Sequence, residues 1–306
     1  MTDREEAGLR GLVKMCAVER DYVYPDHHWV MDTGDMFSRE GNLLERRHRN
    51  PGGSHWSIMC RYDEHGRIRD KEYLGQAPDV EEVLSHQYDA LGRLDRVIIR
   101  SRTDGERVFE SFQYADDGTR TQTSYPTPLD DKKRIITGVM PGSMLHLSVD
   151  AIAIMTIFDA SGHPARKVLY DADNRVIRRI MFRYNTRGLL LEEGELVGGR
   201  IREDFRNVYQ YDAAGRQIEA DMRCGDLGGQ RTAFVYNERG DVTEERIEQR
   251  SSLSLGEEPA GVQSWAQRFR YQYDELGNWT ERVTETVPSN CEASVSMIER
   301  RNLAYY

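Results

Sequence analysis

The sequence predicts an all-β protein in which consecutive antiparallel β-hairpins form a long, twisted, open or partly closed sheet. Three observations lead to this fold class: one short turn motif occurs ten times, apolar and aromatic residues recur at a two-residue spacing beside the turns, and turn residues interrupt the chain too often for long helices. Of the 306 residues, 38% are hydrophobic and 31% are charged. That balance permits a folded core but indicates a large wetted surface, as an extended sheet would have.

The turn motif is an aromatic residue, usually Tyr, followed by Asp or Asn, two variable residues and Gly, often with Arg or Asn after the Gly. The Asp or Asn is expected to open the turn by accepting backbone N–H groups, and the Gly takes the positive φ that closes a bulged hairpin loop. The predicted turn positions are Gly41, Gly66, Gly92, Gly118, Gly162, Asn174, Gly188, Gly215, Gly240 and Gly277. Asn174 replaces Gly in one copy, and Asn tolerates the left-handed region best after Gly.

Strand periodicity flanks these turns. Phe112 stands two residues before Tyr114, and Tyr271 stands two before Tyr273, so that each pair of rings shares one face of a strand. The first four turn glycines are 25, 26 and 26 residues apart. This spacing suits a strand, a tight turn, a second strand and a connection in each repeat.

The domain organisation expected from these patterns is one continuous domain. It comprises an N-terminal strand or cap (1–36), hairpins (37–125), an irregular insertion (126–157), and further hairpins with a C-terminal strand (158–306). The two terminal strands are expected to be the free edges of the sheet. Such edges permit edge-mediated self-association or capture of a partner strand, although charged residues there, such as Glu299 and Arg301, disfavour it.

Composition excludes several classes of function. The net charge of −10 and the isoelectric point near 5.4 argue against a nucleic-acid partner, which requires clustered basic residues. The most apolar stretch, residues 151–158, is far shorter than the ~20 residues of a membrane helix, so no membrane span is expected. The N-terminus lacks a secretory signal, which favours a cytoplasmic protein, with export through a trimmed leader or a non-classical route left open.

Residues that could carry chemistry are few. The four cysteines lack metal or redox spacing, and the usual enzyme signatures are absent, so we expect no catalytic residues, no metal and no cofactor. The residues chosen as a possible binding site are His27, His28, Trp29 and Trp56. Both tryptophans lie outside the repeated positions, where aromatic rings are expected to pack.

The recurring Tyr-Asp-x-x-Gly-Arg motif, as in residues 62–67, 88–93 and 211–216, resembles the repeat of RHS/YD-repeat proteins, from Phe37 to about Arg282. The resemblance implies a coiled sheet of successive hairpins, which in large family members closes into a shell around a toxic polypeptide. Such shells end in a self-cleaving Asp-Pro-x-Gly segment, and this sequence contains no Asp-Pro dipeptide. The resemblance therefore points to a short standalone member without the self-cleaving core or the toxin domain.

The leading functional hypothesis is a non-enzymatic structural or binding scaffold that engages a protein partner in a bacterial toxin or cell-surface system. One alternative is a carbohydrate-binding module, which would show a groove lined with exposed Trp and Tyr. Another is an enzyme on a repeat scaffold, which would bring His and carboxylate side chains from distant repeats into one cleft.

Overall fold

The computed structural model describes residues 1–23, 28–50, 52–75, 80–102, 105–125, 151–251, 261–289 and 292–306. These form one short α-helix, one 3-10 turn (Gly225–Leu227) and twenty strands. The helix is α1 (Asp3–Glu6). The strands are β1 (Val13–Val23), β2 (His28–Phe37), β3 (Leu43–Arg49), β4 (His55–Tyr62), β5 (Ile68–Leu74), β6 (Val80–Tyr88), β7 (Leu94–Ser101), β8 (Gly105–Tyr114), β9 (Arg120–Ser124), β10 (Ala153–Phe158), β11 (Pro164–Tyr170), β12 (Val176–Tyr184), β13 (Leu190–Val197), β14 (Arg200–Tyr211), β15 (Gln217–Cys224), β16 (Gly229–Tyr236), β17 (Val242–Ser251), β18 (Gly261–Tyr273), β19 (Trp279–Pro288) and β20 (Ser294–Tyr305). The predicted all-β fold of antiparallel hairpins is confirmed.

Each turn motif joins two successive strands through its own local hydrogen bonds. In the copy at residues 62–67, the Gly66 N–H donates to the Asp63 carbonyl at 3.0 Å, and the Asp63 N–H donates to the Arg67 carbonyl at 2.8 Å. The Asp63 side chain accepts the backbone N–H groups of His65 and Arg67 through Oδ1, both at 2.9 Å. Gly66 has φ +74°, and all ten predicted turn positions have positive φ, with Asn174 at +59°. The Asp therefore satisfies the loop backbone while the left-handed residue returns the chain to the next strand.

Neighbouring repeats are joined by the motif tyrosine. The hydroxyl of Tyr88 donates to the carbonyl of Ile68, two residues after the preceding turn glycine, at 2.7 Å. The same bond recurs at Tyr62, Tyr211 and Tyr236, which donate to the carbonyls of Leu43, Leu190 and Gln217. Arg67 pairs with Asp63 and places its guanidinium 4.2 Å from the centroid of the Tyr88 ring. One motif thus closes its own turn and holds the next repeat beside it.

The chain divides into two compact units, of which the first comprises residues 1–108 and 267–306. In this unit β19, β20 and β1 to β7 pair successively and antiparallel. The first strand lies between the second and the last, with Arg20 opposite Glu299 in the β1–β20 register. The expectation of an open sheet whose termini are its free edges is therefore wrong, and terminal strands already paired on both sides have no edge for self-association.

The second unit, residues 109–266, continues the same antiparallel order from β8 to β17. Strand β10 begins at Ala153, within the range that we expected to be irregular. It pairs antiparallel with β9 and with β11, and the β11 pairing shifts register between Ile157 and Phe158. Residues 126–150 of that expected insertion lie outside the described residues.

The N-terminus is fastened to unit 1 by α1 and by the segment after it. Asp3 accepts the Leu43 N–H at 2.6 Å. Asn278 accepts the Arg10 N–H at 2.6 Å and donates to the Arg10 carbonyl at 3.0 Å. The N-terminal segment is thereby tied to turns of the first and last repeats, at residues 41–43 and 278.

Two small apolar cores lie one in each unit. The core of unit 1 consists of Leu9, Val13, Cys16 and Phe37. The core of unit 2 consists of Leu169, Ile180, Phe205 and Cys224. Because each core is small, most of the ordered structure rests on strand pairing and on the side-chain bonds between repeats.

Candidate functional site

A groove in unit 1 crosses β1, β2 and β3 where small residues face one another. Ala17 is the cross-strand partner of Gly34, which in turn pairs with Arg47. Side chains along a strand alternate between the two faces of a sheet, so these three residues share one face. A Cβ atom added to Gly34 would meet nothing within 4 Å. The absence of side-chain bulk at this pair leaves a depression, which we name the Gly34 groove.

The groove has a volume of about 530 Å³. Its walls come from the row of residues next to Ala17 and Gly34. Met15 and Met36 face each other across β1 and β2, and Glu45 continues that row on β3. Two thioether side chains and a small-residue floor make much of the lining apolar and adaptable in shape.

The charged groups of the groove balance one another. Glu45 receives the Arg47 guanidinium through two bonds, at 2.7 and 3.0 Å. Asp32 stands opposite Arg49 in the strand register, and both line the groove. Two carboxylates against two guanidinium groups leave no net charge when the histidines are neutral, so the lining does not select strongly for an acidic or a basic ligand.

Trp56 lies beside this groove on β4. Its ring stacks on that of His48 with centroids 5.0 Å apart and planes inclined by 16°. His48 is itself held by Asn50, with 2.8 Å between Nε2 and the amide oxygen. Trp56 is 38% exposed. One ring face is therefore covered by imidazole, which leaves less aromatic surface for a ligand to stack on.

Of the four predicted binding residues, the structure places only Trp56 at this groove. Trp29 and His28 lie at the start of β2, opposite Tyr22 and Val23, and their side chains are outside the described part of the chain, as is the whole of His27. The floor residues Ala17 and Gly34 were missed. A glycine in the interior of a strand, away from any turn motif, is the signal that could have indicated Gly34.

A second polar cluster, in unit 2, surrounds a buried carboxylate. Glu193 is 6% exposed, and its Oε1 accepts the Asn207 amide at 2.9 Å and the Tyr209 hydroxyl at 2.8 Å. Burial, followed by the Glu193 charge, raises the pKa of Tyr209, and the same two causes raise the pKa of Tyr184 to about 12. Burial also lowers the pKa of Lys167. These bonds satisfy a carboxylate that would be costly to bury alone.

No group of three or more His, Cys, Asp or Glu side chains is placed to hold a metal ion within the described ranges. Nor does any described helix have the length and apolarity needed to cross a membrane.

Comparison with known proteins yields likeness of structure alone, since neither a protein-family model nor a curated protein matches the sequence. A porin-like protein from Bacteroides uniformis aligns over 95% of this chain and 96% of its own, with 9% identity and a TM-score of 0.39. The Photorhabdus luminescens Tc holotoxin pore aligns over 93% of this chain, with 14% identity and a TM-score of 0.22. The TcdB2-TccC3 structure aligns over 87%, with 13% identity and a TM-score of 0.22.

The chain spans only 18% and 20% of the lengths of those two toxin chains. At such identities and TM-scores, the likenesses carry no conclusion about function.

Proposed function

We propose that this chain is a non-catalytic binding scaffold of the RHS/YD-repeat type, and that the Gly34 groove receives an extended segment of a protein partner. The segment would be uncharged and would place an aliphatic side chain over Gly34. The observation that carries the proposal is the open space above the Ala17–Gly34 pair, beside the Met15–Met36 pair.

The shape of the groove favours a peptide side chain as its occupant. Its volume of about 530 Å³ lies within the usual range for ligand sites, roughly 300–1,000 Å³. Met15 and Met36 can adjust their rotamers around an aliphatic group, as methionines do on surfaces that bind several peptides. Burial of one Leu-sized side chain from water would contribute about 2 kcal/mol to binding.

The charge of the groove favours an uncharged segment. Glu45 and Arg47 already neutralise each other, and Asp32 and Arg49 are present in equal number. A sugar is less well matched, because carbohydrate recognition uses open aromatic faces and the Trp56 ring is stacked on His48.

The repeat chemistry supports the RHS/YD-repeat type. Asp63 closes its turn, Arg67 pairs with Asp63 and stacks on the Tyr88 ring, and the Tyr88 hydroxyl bonds the preceding repeat. These contacts explain why the three residue types recur as a set. A role in a bacterial toxin or cell-surface system is part of the proposal, and the cytoplasmic location stays a prediction.

The proposal can be tested by selecting phage-displayed linear peptides on the intact chain and then measuring their affinity for Gly34→Leu. Enriched peptides should share an aliphatic position, and their affinity should fall at least about tenfold when leucine fills the groove, which corresponds to loss of most of one buried side chain. Gly52→Leu is the matched control, because a Cβ atom at Gly52 also meets nothing within 4 Å and this residue does not line the groove.

Neither variant should unfold at a lower urea concentration than wild type, which separates loss of binding from loss of fold. Peptides that bind Gly34→Leu as tightly as wild type would exclude the groove. Failure to enrich any peptide, together with glycans retained on an array in a Trp56-dependent manner, would favour the carbohydrate-binding alternative.

A further inference from the structure

A second cavity in unit 1 lies on the other face of β1, β2 and β3 from the Gly34 groove. Cys16 and Val18 form part of its lining and alternate along β1 with the groove residues Met15 and Ala17. Its volume is about 300 Å³. The polar side chains around it are Arg20, Thr33, Asp35, Arg46 and Arg301. We name it the Arg301 cavity.

The guanidinium groups around this cavity outnumber the carboxylates that they contact. Asp35 accepts two bonds from Arg46, both at 2.8 Å. Glu299, which is 1% exposed, is bonded by Arg20 at 3.0 Å and also by Arg282 from β19.

Arg301 belongs to the same group of charges. The four guanidinium groups of Arg20, Arg46, Arg282 and Arg301 and the two carboxylates of Asp35 and Glu299 leave two positive charges. The Asp3 carboxylate also acts on Arg46, and one positive charge remains when it is counted with this group.

Arg301 makes no ion pair with a carboxylate among the described residues, although the Glu299 charge acts on it. Its Nε is buried and has no hydrogen-bond partner in the described part of the chain. The guanidinium lies 3.6 Å from the centroid of the Trp279 ring, so one planar face is covered while the N–H groups at its edge remain directed sideways. Burial lowers the pKa of Arg301, and the repulsion of Arg282 and Arg20 acts in the same direction, while Cys16 and Glu299 act in the opposite direction.

Arginine cannot relieve this situation by losing a proton, because its pKa remains far above neutrality even when lowered. A guanidinium with a buried, unused Nε–H donor and cationic neighbours therefore favours an anion that accepts in the plane of the group. Thr33 adds a donor: its hydroxyl accepts from Arg20 Nη1 at 3.2 Å and retains its own proton to donate. The cavity has ample room for a tetrahedral or planar oxyanion.

We propose that the Arg301 cavity binds an oxyanion, a phosphate or a carboxylate group, through Arg301 with Arg20 and Thr33. This site lies on the opposite sheet face from the groove and does not depend on the function proposed above. The charge count and the unpaired Nε of Arg301 carry it together.

Titration calorimetry of the intact chain in chloride buffer provides the test, with inorganic phosphate and succinate as separate probes. One anion per chain should bind, and the affinity should fall about tenfold or more in Arg301→Gln, since one charge-assisted contact is lost. Thr33→Val should weaken binding less. Binding of phosphate alone identifies a tetrahedral anion as the ligand, whereas binding of succinate alone identifies a carboxylate, such as that of a partner's acidic side chain.

Arg300→Gln is the matched control. Arg300 is the next residue on β20 and faces the other way, with contacts to Glu19 at 3.5 Å and to Glu281 at 3.4 Å. Its replacement should leave anion affinity unchanged.

A second readout is thermal stability with and without phosphate. Phosphate should raise the melting temperature of wild type and of Arg300→Gln but not that of Arg301→Gln. In buffer without oxyanions, Arg301→Gln should melt no lower than wild type, because it removes an unpaired buried charge. The proposal is overturned if neither anion binds, if Arg301→Gln binds as well as wild type, or if that variant is destabilised whether or not phosphate is present.

Discussion

Glycine can be required at a turn because its backbone adopts a positive φ or because a side chain would not fit. Replacing Gly66 by alanine distinguishes these two reasons. Gly66 has φ +74°, and a Cβ atom there would meet nothing within 4 Å. The left-handed conformation costs an L-residue about 1–2 kcal/mol, while alanine restricts the unfolded chain and returns about 0.5 kcal/mol. We therefore expect Gly66→Ala to lower the free energy of unfolding by about 1 kcal/mol.

Two other glycines of the chain serve as matched comparisons. Gly34 has open space and no positive φ, so Gly34→Ala should raise stability by about 0.5 kcal/mol, the usual gain from replacing glycine inside a strand. The φ of Gly229 also lies outside the left-handed region, but an added Cβ would lie 2.3 Å from the Met222 carbonyl oxygen. Gly229→Ala should cost about 3 kcal/mol, because backbone has to move to relieve the overlap.

The assay is urea unfolding followed by far-ultraviolet circular dichroism, with each variant compared at the transition of its own unit. Stability should rank in the order Gly34→Ala, wild type, Gly66→Ala, Gly229→Ala. If Gly66→Ala is as stable as wild type, positive φ does not control the turns and the account of the repeat is wrong.

Three further predictions concern the repeat. Tyr88→Phe removes the hydroxyl bond to the Ile68 carbonyl and should lower the free energy of unfolding by about 1 kcal/mol in the same assay. Tyr170→Phe is the control, since the Tyr170 hydroxyl has no such partner among the described residues. Equal losses in the two variants would refute the role of the bond. The backbone N–H and then the side chain of Arg93 hold the pKa of Asp89 below its ordinary value of 3.8. A carboxylate with a lowered pKa stabilises the fold above that value, so stability should decline as the pH falls below about 4, and less steeply in Asp89→Asn; identical profiles would contradict this. Asn174→Ala should lower the free energy of unfolding by about 1 kcal/mol, whereas Asn174→Gly should stay within about 0.5 kcal/mol of wild type. If Asn174→Ala is as stable as wild type, the φ of +59° carries no strain.

The strands and turns could be predicted because each motif contains its own bonding partners. Asp63, the N–H groups that it accepts and Arg67 all lie within five consecutive residues. The role of the motif tyrosine was only partly predictable. Its packing position follows from two-residue periodicity, but its bond to a carbonyl 20 residues earlier, as from Tyr88 to Ile68, depends on how far successive hairpins are displaced along one another.

The candidate sites were mostly beyond prediction. Alternation along β1 indicates that Met15 and Ala17 share a face, but not that Gly34 and Met36 lie opposite them. Glu299 illustrates the same limit, because it was expected at an exposed edge and is instead 1% exposed between arginines of two neighbouring strands.

By itself the sequence determined where the chain extends and where it reverses, since a Gly or Asn with positive φ and an Asx side chain select a hairpin from interactions within a few residues. Only the tertiary structure decided which distant strands meet. Arg20 and Glu299 are bonded although 279 residues separate them, and that pairing places both cavities of unit 1 on the strands nearest the joined termini. The physical reason is that strand edges have general hydrogen-bonding capacity, so partners far apart in sequence are chosen by the accumulated geometry of the hairpins between them and not by any local motif.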